Sequence, residues 1–212
     1  LQGAVPTYAL NAKKSILNML NPLKILDREW QELKLGVKKA RHDYHTFIFS
    51  TIHNSEPESR TVVLRAQDKN KFQIWFHTDK RSQKILQIKK HKSVSALFYD
   101  TSRKVQLRIN GIAILESDNK RNAKIWNSMS LDSKICYMGP YAPSQKLPQF
   151  SPNLLSKSPQ EINEKDYKLG LSRFCRVRID ISKVDWLRLD YQGHQRIKFQ
   201  FNKTIKSEWI AS

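Results

Sequence analysis

The sequence predicts a mainly β protein with peripheral helices, its strands closed into a barrel by antiparallel hairpins, and three observations predict it. Short runs rich in β-branched and aromatic residues recur along the 212-residue chain, separated by polar turns, which is the pattern of strands closing on themselves. Helical periodicity is confined to a few brief segments among them. The densest stretch, residues 60–115, places basic and hydroxyl side chains at its strand ends, and these are the groups that a phosphate needs.

Element by element, residues 1–22 read as an N-terminal extension and 23–212 as one domain. A helix is expected from Asp27, with Trp30, Leu33 and Val37 at i, i+3 and i+7. Asp27 and Glu29 would stand in its first turn and Lys38, Lys39 and Arg41 in its last, the order that complements the helix dipole. Gly36 within it costs about 1 kcal/mol relative to alanine, which predicts a close approach there. Residues 45–53 read as a strand and 54–59 as a turn. Two further strands, 60–68 and 71–79, share an Asp68-Lys69-Asn70-Lys71 connection suited to a hairpin.

Ile85, Leu86 and Ile88 mark an amphipathic helix over 81–91, and strands 93–100 and 104–117 turn around residues 101–103. Residues 118–135 read as helix, with Ala123 and Trp126 facing inward. From about 138 to 170 the chain is rich in Pro, Ser and Gln, the composition of a long irregular loop. Strand alternation returns at 174–190, Gly193 marks a hairpin turn, and 194–202 is the last expected strand.

The charge is +19, from 38 Lys and Arg against 19 Asp and Glu. Such a balance raises affinity for any polyanion. The bases are nevertheless spread along the chain, and their densest run, 80–92, coincides with the amphipathic helix. No zinc-finger, basic-zipper or RNA-recognition pattern is present, so no specific nucleic-acid partner is expected. No apolar run approaches the roughly 20 residues that a membrane helix needs. The charged pair Lys13–Lys14 comes late and no cleavage site follows, so no secretory leader is expected. Cys136 and Cys175 have no ligand spacing and read as reduced thiols of a cytoplasmic protein.

Several motifs, in order, carry a resemblance. R-T-V-V-L-R (60–65), F-H-T-D-x-x-S-x-K (76–84), F-Y-D (98–100) and V-Q-L-R-I-N-G-x-A (105–113) are followed by V-D-W-L-R-L-D-x-x-G-H-x-R-I-K-F (184–199). Together they resemble the pyridoxamine 5′-phosphate oxidase family of FMN-binding split barrels. W-x-E-L-x-x-G-V (30–37), with R-H-D-Y-H-T-F (41–47) after it, is similar to a branch related to the oxidase rather than the oxidase itself.

The resemblance implies FMN as cofactor, a homodimer with FMN at the subunit interface, and a flavin-dependent oxidoreductase acting on a small molecule. It implies that Arg60, Thr61, Val62, Val63, His77 and Thr78 line the flavin from two strands. Ser82, Gln83 and Lys84 correspond to the phosphate-binding turn and Gln106 to the ring-contacting glutamine. Trp186, within one residue, and Lys198 would reach in from the partner subunit. The chemistry suits those residues. A helix opening at Ser82 offers its N-terminal amides and dipole to a phosphate, Lys84 and Arg60 offer full charges, and a glutamine can both donate and accept at the ring edge.

The chain also departs from the family. Gln83 replaces an arginine, with Arg81 one residue away as a candidate substitute. Lys198 also replaces an arginine, which keeps the charge and loses the bidentate fork. Of the substrate-phosphate set, Arg65, Ser133 and Arg196 are candidates, while Ile125 and Met129 stand where a tyrosine and an arginine would be. Each lost charge-assisted contact is worth about 1.5–3 kcal/mol, so vitamin B6 phosphate is not the expected substrate. No metal site is expected. A non-enzymatic flavin-binding role, and haem binding through His42, His45 or His91, stay open on the same fold.

Overall fold

The computed structural model describes residues 21–211, in which eight strands form one antiparallel sheet and five helices lie around it. The strands are β1 (Thr46–His53), β2 (Glu56–Asp68), β3 (Gln73–Asp79), β4 (Ser93–Asp100), β5 (Val105–Glu116), β6 (Phe174–Arg188), β7 (Gln195–Phe201) and β8 (Ile205–Trp209). The helices are α1 (Pro22–Lys38), α2 (Gln83–Lys90), α3 (Asn119–Ser128), α4 (Leu131–Ile135) and α5 (Glu164–Arg173).

The sheet runs β3-β2-β1-β4-β5-β6-β7-β8, and an added β3–β6 pairing closes its first six strands into a barrel. Period-two alternation turns Phe47, Phe49, Leu64, Phe76, Phe98, Leu107 and Val177 inward, each at most 2% exposed. Burying side chains of this size contributes about 1.5–3 kcal/mol each, so the barrel interior is the main source of stability. Trp30 and Leu33 of α1 join that core. A satellite cluster of Trp126, Tyr137, Met138 and Phe174 packs beside β3, where the Phe174 ring meets His77 edge-on at 4.9 Å.

Several boundaries differ from expectation. Helix α1 starts at Pro22, because the Asn21 side chain accepts from the amides of Leu23 (2.9 Å) and Lys24 (3.3 Å). A polar cap therefore starts the helix, and no acid lies in its first turn. The tight turn after β1 needs only Asn54 and Ser55, both with positive φ, so residues 56–59 extend β2 instead of forming a loop. The stretch 118–135 breaks at Met129–Ser130, where Ser130 caps α4. Asn122 and Trp126 are the buried positions of α3, and Ala123 is only half-buried.

The irregular loop ends before residue 170. Asn163 and Asp166 form a reciprocal capping box that starts α5 at Glu164, and its N-x-x-D pattern was readable. Strand β8 was not expected. All five of its residues are exposed, so it has no apolar alternation and owes its existence to pairing with the edge of β7.

Gly36 behaves as expected, since a Cβ there would stand 2.5 Å from the Tyr44 carbonyl oxygen. Residues 1–20 of the expected extension lie outside the described residues. Among the described residues no helix is long and apolar enough to cross a membrane.

Candidate functional site

The end of β3 and the start of α2 form a polar corner. Ser82 is 2% exposed, and its hydroxyl donates to the Asp79 carbonyl at 2.7 Å. That bond turns the hydroxyl away from the helix, so α2 opens with no side-chain cap. Its first amides and dipole keep their capacity for an anion. Lys84 Nζ donates to Thr78 Oγ1 at 3.2 Å, and the Thr78 and Ser82 hydroxyls lie 3.2 Å apart.

This hydroxyl is the one side-chain partner that Lys84 has among the described residues. Burial, reinforced by the charge of Arg60, pulls its ammonium below the ordinary lysine range, with Asp79 opposing. A half-buried ammonium without a carboxylate, at an uncapped helix start, suits a phosphate dianion.

Arg60 comes to the same corner but arrives engaged. Its guanidinium donates to the Thr51 hydroxyl, the Glu58 carbonyl (2.9 Å), the Glu58 carboxylate (3.0 Å) and Gln87 Oε1 (3.1 Å). Gln87 Nε2 donates to the same carboxylate at 2.8 Å, and His53 Nδ1 lies 2.7 Å from it. These contacts, that of Gln87 first, hold the Glu58 carboxyl below its usual range. Glu58 thus occupies Arg60 as an internal anion, and a phosphate at Arg60 must compete with it. Glu58→Gln removes that competitor while keeping the side chain's length. It is expected to tighten FMN binding several-fold in a flavin-fluorescence titration, and an unchanged or weaker affinity would count against Arg60 as a phosphate ligand.

The other expected residues divide between places. Arg81 is bidentate to Asp79, with Nη2 at 2.7 Å from Oδ2, so it does not substitute for the arginine missing at Gln83, which is exposed. Thr61 and Val63 lie on the outer face of β2, whereas Val62 faces the core at 9% exposure. His77 faces outward. Burial, with the charges of Arg65 and Arg176, pushes its pKa down to about 3, so it is neutral near pH 7. Arg65 stands exposed at the bulge between Leu64 and Ala66, and its side chain makes no hydrogen bond or ion pair among the described residues. Ser133 lies in α4, its hydroxyl accepting from Ser130 at 3.0 Å.

Gln106 and Arg196 share one cross-strand row, Tyr99–Gln106–Leu187–Arg196. Arg196 is held by Asp185 at 3.0 and 2.8 Å, and Arg108 binds the same carboxylate at 2.7 Å. The neighbouring row runs Thr61–Ile48–Leu97–Arg108–Asp185–Lys198. Thr61 and Lys198 therefore stand at the two ends of one six-strand row of the closed sheet.

Trp186 does not project outward at all. It is 5% exposed, belongs to the barrel core, and donates its indole N–H to Glu29 at 3.1 Å. The alternation of β6 sends Val184 and Trp186 inward, so Leu187, one residue on, is the outward neighbour. Glu29, expected as an acid in the first turn of the helix, instead lies buried two turns into it. It is 2% exposed and also accepts from Tyr44 (2.7 Å) and Arg103 (2.8 Å). The available signal was its place among Ile25, Leu26, Trp30 and Leu33, on the apolar face of α1. The histidines considered for haem are partly committed, His42 to Glu32 (3.0 Å) and His45 to the Gly36 carbonyl (2.8 Å).

Known proteins give this geometry a context. Residues 27–117 match the family described as pyridoxamine 5′-phosphate oxidase, FMN-binding domain. The chain is 28% identical over 190 residues to pyridoxine/pyridoxamine 5′-phosphate oxidase 2 of Arabidopsis thaliana, covering 84% of this chain and 91% of that protein. It is 25% identical over 216 residues to the pyridoxine/pyridoxamine 5′-phosphate oxidase of Pelagibacter ubique, covering 96% of each. In fold it is similar to a pyridoxamine 5′-phosphate oxidase-related, FMN-binding protein from Nostoc punctiforme, with a TM-score of 0.67 at 19% identity, covering 91% of this chain and 98% of that one.

Proposed function

We propose that the chain is a member of the pyridoxamine 5′-phosphate oxidase-related family of FMN-binding split barrels, which it resembles in sequence and fold, and that it binds FMN and works as a flavin-dependent oxidoreductase. The observation that carries the reading is Lys84, a half-buried ammonium whose partner is a hydroxyl, beside the uncapped start of α2. Lys84 and the α2 amides neutralise the phosphate, and Thr78 and Ser82 orient it. Thr61 and Val63 present the outer edge of β2 to the ring. Gln106 offers a donor and an acceptor to a polar ring edge.

FMN, when bound, supplies the electron-transfer chemistry, so no protein nucleophile is required. The chain's own part is to hold the cofactor, exclude water and present charge. Arg65, whose side chain has no ion pair among the described residues, is a cation available to an anionic substrate. Ile125 and Met129, half-buried against the satellite cluster, offer no charge to a substrate phosphate, which argues against vitamin B6 phosphate.

A homodimer is part of the proposal. The resemblance that assigns Lys198 to a partner's flavin and Thr61 to the chain's own supports a site completed by a second copy. The outer face between them also exposes Ile48, Ile52, Tyr99 and Ile112, each 38–42% accessible, an apolar stripe suited to burial against a partner.

FMN added to the purified protein is expected to saturate at one per chain, with an oxidised-flavin spectrum on a dimer in sedimentation. Riboflavin, which lacks the phosphate, should bind far more weakly. A protein that binds neither, or binds both alike, overturns this reading. Reoxidation or reduction of bound flavin by dioxygen or a nicotinamide donor separates an enzyme from a flavin carrier.

A further inference from the structure

We infer that the chain carries a second ligand site, away from the Lys84 corner, for a planar aromatic anion of mononucleotide size. The site is an open cleft of about 880 Å³ between α1, the β4–β5 turn and the β6–β7 connection, within the range of roughly 300–1,000 Å³ usual for small-molecule sites. Its floor is apolar, with Trp186 and Leu189 among the lining residues. Its rim carries Arg28 from α1, Lys104 from the turn and Arg188 from the end of β6.

A chain with twice as many bases as acids gathers basic residues by composition alone, so charge does not by itself mark a site. This cleft is set apart because cations from three separate elements converge over one apolar floor. Its acids are already used. Glu29 accepts from Arg103, Tyr44 and Trp186, and Asp190 lies 3.7 Å from Arg188. The side chains of Arg28 and Lys104 make no ion pair or hydrogen bond among the described residues, so they keep their capacity for an incoming anion. Tyr191, 94% exposed at the rim, adds an aromatic face for a flat ring. An apolar floor beneath convergent cations is the combination that selects an aromatic ring bearing a phosphate or carboxylate.

The test uses FMN-saturated full-length protein, adenosine 5′-monophosphate as probe and adenosine as its neutral counterpart, read by calorimetry and tryptophan fluorescence. The monophosphate is expected to bind and adenosine to bind much less. In Arg28→Ala/Lys104→Ala, where both positions are exposed, affinity for the monophosphate should fall about tenfold for each charge removed. FMN affinity should be unchanged. Three results would each overturn the site: equal binding of the two probes, full binding by the double variant, or binding that displaces FMN. A protein that holds no FMN is tested as purified with Lys84→Ala beside it. There, loss of the monophosphate with Lys84→Ala but not with the double variant assigns the ligand to the β3–α2 corner and sinks this inference.

Discussion

Replacing Lys84 by alanine is expected to weaken FMN binding about 10- to 100-fold, since a charge-assisted contact is worth about 1.5–3 kcal/mol. The ammonium is half-buried and its partner is the Thr78 hydroxyl, so little in the protein itself depends on its charge. The urea midpoint of the cofactor-free protein should therefore stay near wild type, or rise as the burial of an unpaired charge is relieved. Burial lowers the pKa of this ammonium, so FMN affinity should decline with rising pH before ordinary lysines titrate, and the decline should be absent in Lys84→Ala. Equal dissociation constants for wild type and variant, measured by quenching of flavin fluorescence, would remove Lys84 from the site.

The second large effect concerns stability. Glu29→Ala is expected to cost about 3–5 kcal/mol, the usual consequence of removing one partner from a buried ion pair. The deletion strands three donors together: the Tyr44 hydroxyl, the Trp186 indole and the Arg103 guanidinium. Arg103 keeps its bond to Asp100 at 2.6 Å, which limits the loss. Glu29→Gln retains an acceptor without the charge and should fall between wild type and alanine. Urea unfolding of the three proteins checks the order, and a cost under about 1 kcal/mol for alanine would show that the network is dispensable.

The barrel strands were legible because inward residues such as Phe47, Phe49, Ile74 and Phe76 repeat with period two, a local signal. The polar corner of Thr78, Ser82 and Lys84 was legible for a similar reason. Thr78, Ser82 and Lys84 sit within seven residues, so a strand followed at once by a helix brings them together whatever the rest of the chain does. Helix α5 and the true start of α1 were missed although Asn163 and Asn21 announce them, because asparagine reads equally as a cap and as a loop residue. Strand β8 carries no apolar alternation and could not have been read locally.

By itself, then, the amino-acid sequence determined the fold class, the order of most elements and the short polar turn from Thr78 to Lys84, since periodicity and capping act between residues close in the chain. The tertiary structure alone decided what each charge faces. Arg60 is matched with Glu58 and Arg81 with Asp79, while Lys84 is left with a hydroxyl. It also decided that Trp186 packs inward over Glu29, 157 residues away along the chain. Electrostatics and burial depend on neighbours distant in sequence, and only closure of the barrel brings those neighbours within reach.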